Sequence, residues 1–315
     1  AKGPQRSPGP RPTPARTRSR ALLAVGALSV VALSALAAFA AAQFRDGDPG
    51  ATGEAAIAHV HGLGVNPADN DLYVATHYGV FRVGADQTAR RVGEGAQDTM
   101  GFTVAGPDRF LASGHPDVAG FRNGQPTRLG LIESTDAART WRSRSLSGDV
   151  DFHALGFAHD RVYGWDSTSG QFMVSSDART WETRSREALS AFAVDPDDAE
   201  HIVAAGAEGA IDSTDGGRTW TAQGGPVLRV VSWDGKAGLF GVAADGAVYH
   251  STDGGDTWGR SGRLDGQAQA LLARPDALYA ATADEQGTTG IYRSTDQGQT
   301  WRLYYQEKSS AGGSH

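Results

Sequence analysis

The sequence Ser213-Thr-Asp-Gly-Gly-Arg-Thr-Trp220 indicates a repeat fold, because it recurs along the chain. The same stretch recurs, with small changes, at Ser134–Trp141, Ser175–Trp181, Ser251–Trp258 and Ser294–Trp301. Ala138 replaces the second glycine in one copy, and the copy that ends at Trp181 is one residue short. The tryptophans stand at 141, 181, 220, 258 and 301, so the period is 38 to 43 residues. Self-similarity at this period is typical of propellers, solenoids and arrays.

Each copy, S-x-D-x-G-x-T-W, has a structural interpretation. The aspartate is expected to accept hydrogen bonds from N–H groups of its own turn, and the glycine permits a positive φ. Thr-Trp then begins a strand, and the indole packs between neighbouring sheets. Turn bonding explains the aspartate without a catalytic role. The residues predicted to be structural in this way are Asp136, Asp177, Asp215, Asp253, Asp296, Trp141, Trp181, Trp220, Trp258 and Trp301.

The pattern resembles the Asp-box, or BNR repeat, of sialidases, sortilin-like receptors and photosystem II assembly factor-like propellers. The opening His59-Val-His-Gly-Leu-Gly64, with Leu72–Phe81, is similar to that of bacterial Asp-box propellers labelled glycosylhydrolase or exo-sialidase by similarity. This resemblance spans residues 57–305 and implies a propeller fold, with sialidase-like glycoside hydrolysis as one function. Sialidases hold the substrate carboxylate with three arginines, one of them in an Arg-Ile-Pro stretch that this sequence lacks. No tyrosine nucleophile with its glutamate can be assigned either.

The segment between successive boxes reads as one antiparallel blade. Residues 269–305 contain four short strands separated by turn residues. The same pattern fits residues 99–145, 152–183, 189–224 and 227–261, and residues 59–92 have the strands without a box. We therefore predict an all-β protein, a six-bladed β-propeller over residues 56–305 whose radial packing hides the short sheet edges. Seven blades are the alternative.

The N-terminal region differs in composition from the propeller. Residues 1–20 hold six basic residues and no acidic one, and they are predicted to be a disordered cytoplasmic tail. Residues 21–42 carry no charge and are long enough to cross a bilayer. We predict a transmembrane signal-anchor helix at 21–43 that leaves the propeller extracytoplasmic. Cleavage near Ala42, giving a secreted protein, is the alternative. Residues 44–55 read as a linker and residues 306–315 as a flexible tail.

Charge and cysteine content exclude several functions. There is no cysteine, so disulfides and thiolate metal sites are excluded. Residues 54–315 hold 22 basic and 34 acidic side chains, and 22 − 34 = −12. A domain this acidic repels phosphate backbones, which excludes nucleic acid as a partner. The candidate partners that remain are a metal, a glycan and an envelope protein. We expect the protein to be a monomer.

Candidate site residues follow from aligning the repeats. One inner-strand position is filled in turn by His61, Met100, His153, Ser190, Arg229 and Gln269. His59, Asp98 and Asp151 stand two residues earlier, and His77, His115 and Asp166 lie between the second and third strands. We expect these positions to share one face. The predicted metal or ligand residues are His59, His61, His77, Met100, His115 and His153, with Asp98, Asp151, Asp166 and Arg229 in the same pocket.

The chemistry of this set leaves three function classes. Imidazole suits zinc or copper, and a neighbouring thioether favours copper(I), so the first class is a metal- or ligand-binding or assembly module. In it the histidines could also be a polar floor or a pH-sensitive face. The second class is a glycoside hydrolase, but no carboxylate pair or other catalytic residue can be assigned among Asp98, Asp117, Asp151 and Asp166. The third class is a protein-binding scaffold, with Tyr78 and Trp165 as contact residues.

We predict that residues 54–310 fold alone as a monomer with a β-rich circular dichroism spectrum. A segment of roughly 260 residues is long enough to bury its own core without disulfides. Size-exclusion chromatography and circular dichroism of this segment check the prediction. Aggregation or a disordered spectrum would contradict the domain boundary.

Overall fold

A computed structural model describes residues 57–306 and the isolated Gly3. The segments 21–43 and 44–55, and nearly all of 1–20 and 306–315, lie outside the described residues, so their predicted roles stay predictions. Within the described part of the chain, no helix is long and apolar enough to cross a membrane.

The described residues form β-strands and one short helix, α1 (Val118–Arg122). The strands are β1 (Val60–Val65), β2 (Leu72–Thr76), β3 (Gly79–Val83), β4 (Ala89–Arg91), β5 (Asp98–Gly106), β6 (Arg109–His115), β7 (Leu131–Ser134), β8 (Arg142–Ser145), β9 (Phe152–Ala158), β10 (Arg161–Asp166), β11 (Gln171–Ser175), β12 (Glu182–Arg186), β13 (Leu189–Val194), β14 (Ile202–Gly206), β15 (Gly209–Ser213), β16 (Thr221–Gly224), β17 (Leu228–Asp234), β18 (Gly238–Ala243), β19 (Ala247–Ser251), β20 (Gly259–Arg263), β21 (Gln267–Ala273), β22 (Leu278–Ala283), β23 (Thr289–Ser294) and β24 (Arg302–Gln306).

These strands form six four-stranded sheets, and each sheet contains four strands that are consecutive in the chain. Blade 1 is β1–β4, blade 2 is β5–β8, and the series continues to blade 6, β21–β24. The first strands of the blades contact one another in a closed ring, β1–β5–β9–β13–β17–β21–β1. The six-bladed propeller is confirmed, and the seven-bladed alternative is wrong for residues 57–306.

Blades 6 and 1 close the ring by packing, since each keeps its own four strands. Val65 and Phe81 of blade 1 share a buried core with Ile291 of blade 6. One hydrogen bond crosses the same junction, from the Val60 N–H to Oε1 of Gln269 at 2.9 Å. Apolar burial, the main favourable term in folding, therefore joins the two ends of the propeller.

The turns of the five repeated S-x-D stretches, called boxes here, have the hydrogen bonds expected from the sequence. Asp215 accepts from the Thr219 N–H at 2.8 Å and from the Thr219 hydroxyl at 2.7 Å. The Ser213 hydroxyl donates to the same carboxylate at 2.9 Å and accepts from the Gly217 N–H at 2.8 Å. Equivalent bonds to the aspartate occur in the other four boxes, including the short one. The carboxylate thus closes the hairpin from inside.

The box tryptophans link neighbouring blades. Nε1 of Trp220 in blade 4 donates to the Ser185 hydroxyl of blade 3 at 3.0 Å. In the next blade, Trp258 Nε1 is buried without a hydrogen-bond partner. The reason is in the sequence, because Gly224 stands where blade 3 has Ser185, four residues after the box tryptophan. The indole of Trp258 is therefore held by packing, against the blade 4–blade 5 core.

We predict that Gly217→Ala destabilises the propeller more than Gly255→Ala, at the same box position. Both glycines have positive φ, +88° and +102°, which costs an L-residue about 1–2 kcal/mol. A Cβ on Gly217 would also overlap the fully buried Phe172 ring, whereas one on Gly255 would lie 3.2 Å from a Val203 methyl. Overpacking adds about 1–3 kcal/mol at Gly217. Denaturant unfolding measures both variants, and equal losses of stability would contradict the packing argument.

We also predict acid destabilisation through the boxes. Hydrogen bonds from the box threonine lower the pKa of Asp215, Asp253 and Asp296 to about 2. A carboxyl whose pKa is lower in the folded state stabilises that state above its unfolded pKa of about 4. The free energy of unfolding should therefore fall as the pH drops from about 4 to 2, and Asp253→Asn should flatten that fall. An unfolding free energy independent of pH across this window would contradict the prediction.

Candidate metal-binding face

The innermost strand of every blade carries a β-bulge at the same place. One residue near the start of each first strand is skipped in its pairing with the second strand. A bulge re-aims the side chain of the unpaired residue. The skipped residues are the six that the repeat alignment places at one position: His61, Met100, His153, Ser190, Arg229 and Gln269.

The innermost strands surround a central cavity of about 420 Å³. His61, His153 and Gln269 contribute to its wall together with apolar residues such as Leu155 and Phe192. The bulge positions therefore place polar side chains on the wall of a channel that also has apolar residues in its wall.

Three histidines of blade 1 form the first group. Nδ1 of His59 lies 3.0 Å from Nε2 of His77, and Nε2 of His61 lies 3.3 Å from Nδ1 of His77. The ring centroids are 4.5 to 5.1 Å apart. One nitrogen from each ring can be chosen so that all three lie within 4.8 Å of one another. This spacing allows three imidazoles to hold one metal ion.

Asp98 of blade 2 contacts the first group from the neighbouring blade. Its Oδ1 lies 2.8 Å from Nδ1 of His77 and 3.7 Å from Nε2 of His61. The carboxylate side chain is 7% exposed. A carboxylate that accepts the Nδ1 proton places the lone pair of that ring on Nε2, and such a contact is the usual support for a metal-binding histidine. Asp98 therefore acts on the group through His77.

Burial and neighbouring charges keep two rings of the first group, His59 and His61, in their metal-binding form. Burial lowers the pKa of His61 well below its ordinary value, and the neighbouring imidazoles of His77 and His59 lower it further. Burial, followed by the nearby His77, also lowers the pKa of His59. Both rings are therefore neutral near pH 7, and a neutral imidazole has the lone pair that a metal ion needs. His59 also has φ of +45°, which is uncommon for a residue other than glycine.

The second group lies one blade further round. Asp151 Oδ2 lies 2.9 Å from Nε2 of His153 and 3.4 Å from Nε2 of His115. Nδ1 of His115 lies 2.7 Å from the Thr127 carbonyl oxygen, to which it donates. One ligand atom of each of these three acidic or imidazole side chains lies within 4.8 Å of the others.

Charge in the second group differs from that in the first. Burial alone would lower the pKa of His115, but its hydrogen bond to Asp151 and the charge of Asp151 raise that pKa to about 9. Burial opposes ionisation of Asp151, yet the hydrogen bonds and charges of His115 and His153 lower its pKa below the ordinary range. His115 and Asp151 therefore form an ion pair at neutral pH when no metal is bound.

Five of the six predicted metal-binding residues thus fall into two separate groups, whereas we expected all six to lie together on one face. Met100 is at the bulge of blade 2, between the blades that supply His61 and His153. Arg229 is at the bulge of blade 5, and its charge contributes to the lowered pKa of His59.

Other candidates have structural contacts. Asp166 accepts from the Asp151 N–H at 3.1 Å and from two N–H groups of its own turn. Asp117 caps α1 by accepting from the Gly120 N–H at 2.7 Å. Tyr78 packs against the blade 1–blade 6 core, and Trp165 packs in the blade 3–blade 4 core and donates to a backbone carbonyl. Sequence reasoning missed Thr127, because a backbone carbonyl has no signature in the sequence.

Comparisons with known proteins support the fold. No family model matches the chain, and no curated protein matches it in sequence. The chain is similar to the crystal structure of the GH74 enzyme of Niastella koreensis, with a TM-score of 0.58 and 16% identity over 80% of this chain and 46% of that one. It is similar to a structure from the nidogen/laminin complex, with a TM-score of 0.58 and 10% identity over 75% and 93% of the two chains.

A third similar structure is YCF48 bound to D1 peptide, with a TM-score of 0.50 and 13% identity over 79% of this chain and 81% of that one. The chain spans less than half the length of the GH74 enzyme it matches. These likenesses support the propeller fold, whose six blades are the six four-stranded sheets of this chain. Propellers host many unrelated functions, so function must be argued from the site.

Proposed function

We propose that the protein is a transition-metal-binding β-propeller whose metal site is formed by His59, His61 and His77. The observation that carries this proposal is the convergence of three imidazole rings on one blade, with nitrogens within 4.8 Å of one another. The lowered pKa values of His59 and His61 keep these two rings unprotonated near pH 7. Neutral imidazoles so close together are suited to share a cation.

The spacing of one pair fits tetrahedral coordination. Two nitrogens bound to one zinc ion at about 2.0–2.1 Å lie roughly 3.3 Å apart. The 3.0 Å separation between His59 Nδ1 and His77 Nε2 is close to this value. The 3.3 Å contact of His61 Nε2 is with the other nitrogen of His77, Nδ1, so the His61 ring must turn toward His77 Nε2 to share the ion. Three protein ligands leave a fourth position open, as in catalytic and transport sites.

Copper and zinc are the metals that the side chains favour. Imidazole accepts either ion, and a thioether ligand favours copper(I). Met100 lies at the bulge next in the ring to His61, so recruitment of its thioether would favour copper. The relative affinity for the two metals therefore reports whether Met100 takes part.

The cellular setting of the proposal comes from the sequence. We infer that residues 21–43 anchor the protein and that the acidic propeller works outside the cytoplasmic membrane, in metal handling or assembly of the envelope. YCF48 was solved with a bound peptide, so a peptide or envelope protein is a partner to test.

Glycoside hydrolysis is the weaker alternative. A general acid of this class needs a raised pKa, whereas the contacts of Asp151 with two histidines lower its pKa. Asp98 is within hydrogen-bond distance of His77, where it can fix the ring. Assays with sialosides and aryl glycosides at several pH values address this alternative.

We predict that His61→Ala removes one equivalent of bound copper or zinc per chain, because it deletes one of three ligands. Asp98→Asn should keep the stoichiometry but weaken affinity about 10–100-fold, the usual effect of losing a supporting hydrogen bond. The measurements are elemental analysis and chelator-competition titration of the full chain, purified without a histidine tag.

The matched control is His159→Ala, which removes a histidine outside both groups and should leave metal content unchanged. Circular dichroism of each variant verifies that the fold is kept. Full metal content in a folded His61→Ala protein would rule out the proposed site.

A further inference from the structure

The second group repeats part of the first, displaced by one blade. His115 ends β6 in blade 2, and His77 directly follows β2 in blade 1. Asp151 directly precedes β9, and Asp98 begins β5. In both cases the histidine of one blade lies against the aspartate of the next, at 2.8 Å for His77 and Asp98 and at 3.4 Å for His115 and Asp151. His153 occupies the bulge of its blade, as His61 does.

The second group has an unsatisfied ligand atom. Asp151 is 6% exposed, and its Oδ1 is buried without a hydrogen-bond partner. Its Oδ2 lies near three side chains, those of His115, His153 and Ser167. A buried polar atom without a partner is rare and calls for a bound ion or water. Two imidazoles beside this carboxylate favour the ion.

We propose that His115, Asp151 and His153 form a second metal site, separate from the first and selective for a divalent ion of the zinc class. Two imidazole nitrogens and one carboxylate oxygen are a common zinc ligand set. The hard carboxylate disfavours copper(I), which prefers soft ligands. The two sites therefore differ in selectivity, with nitrogen donors in the first and mixed nitrogen and oxygen donors in the second.

The surroundings fix the ligands of the second site. The Thr127 carbonyl accepts the Nδ1 proton of His115 at 2.7 Å, so Nε2 is the nitrogen that can bind a metal, and it releases its proton when it does so. The Asp151 backbone is held on both sides, since its N–H donates to Asp166 at 3.1 Å and its carbonyl accepts from the Ser167 N–H at 3.0 Å. Such supporting contacts give a metal site its rigidity.

This site extends the proposed function but does not depend on it, because it shares no ligand with the first group. Neither site needs the other to fill. Substitutions in one group therefore report on that group alone.

The test is the zinc stoichiometry of the full chain, prepared metal-free with a chelator and dialysed against Zn²⁺. The variants are His61→Ala, Asp151→Asn, His153→Ala and the double variant His61→Ala with Asp151→Asn, and His159→Ala is the control. His153→Ala provides a second variant of the site if Asp151→Asn does not fold. We expect two equivalents in the wild type and the control, one in each single variant and none in the double variant.

Cobalt(II) gives an independent readout, since its d–d absorption reports coordination by protein. The His61→Ala protein should show a cobalt spectrum that disappears when Asp151→Asn is added. Two zinc equivalents retained in folded Asp151→Asn and His153→Ala would overturn the inference. The inference would also be overturned if the wild type bound a single zinc equivalent that only His61→Ala removes. The same holds if the wild type bound a single equivalent that a substitution in either group removes. One equivalent that survives His61→Ala but not Asp151→Asn would support the second site and refute the first.

Discussion

One extra residue at the bulge of each innermost strand determines which side chains this propeller can direct toward its central channel. The bulge leaves that residue out of the ladder and re-aims its side chain, and it occurs in all six blades. The box turns close the hairpins of the blades, and the box tryptophans pack between neighbouring blades. The bulges are a separate feature of the innermost strands. Imidazole at the bulge of blades 1 and 3 thereby becomes a candidate ligand, while Ser190 and Gln269 at the same position bond to neighbouring blades.

Each histidine group includes a histidine that contacts an aspartate across a blade junction. A histidine that follows the second strand of one blade lies against an aspartate at the start of the next, as His77 does with Asp98. Blade 1 carries His59 where the next two blades carry aspartate, so the first group gains a third imidazole and the second a carboxylate. The same backbone positions therefore produce two different ligand sets.

Much of the fold could be predicted from the sequence. The 38–43-residue period defines the blades, and aligning the repeats groups at one inner-strand position the six residues that the structure shows at the bulges, although the bulges themselves could not be predicted. The division into two groups could not be predicted, because it depends on how closely His115 approaches Asp151 across a blade junction. Two further contacts could not be predicted: that of His115 with the Thr127 carbonyl, and those of Asp166 with its own turn. Contacts with the backbone leave no pattern in side-chain identity.

The most direct test of the account is anomalous diffraction from metal-loaded crystals, collected at the zinc and copper absorption edges. The account predicts an anomalous peak bounded by nitrogens of His59, His61 and His77, at coordination distances of about 2 Å. Metal-loaded crystals in which these three rings still hydrogen-bond to one another, with the peak elsewhere or absent, would contradict it.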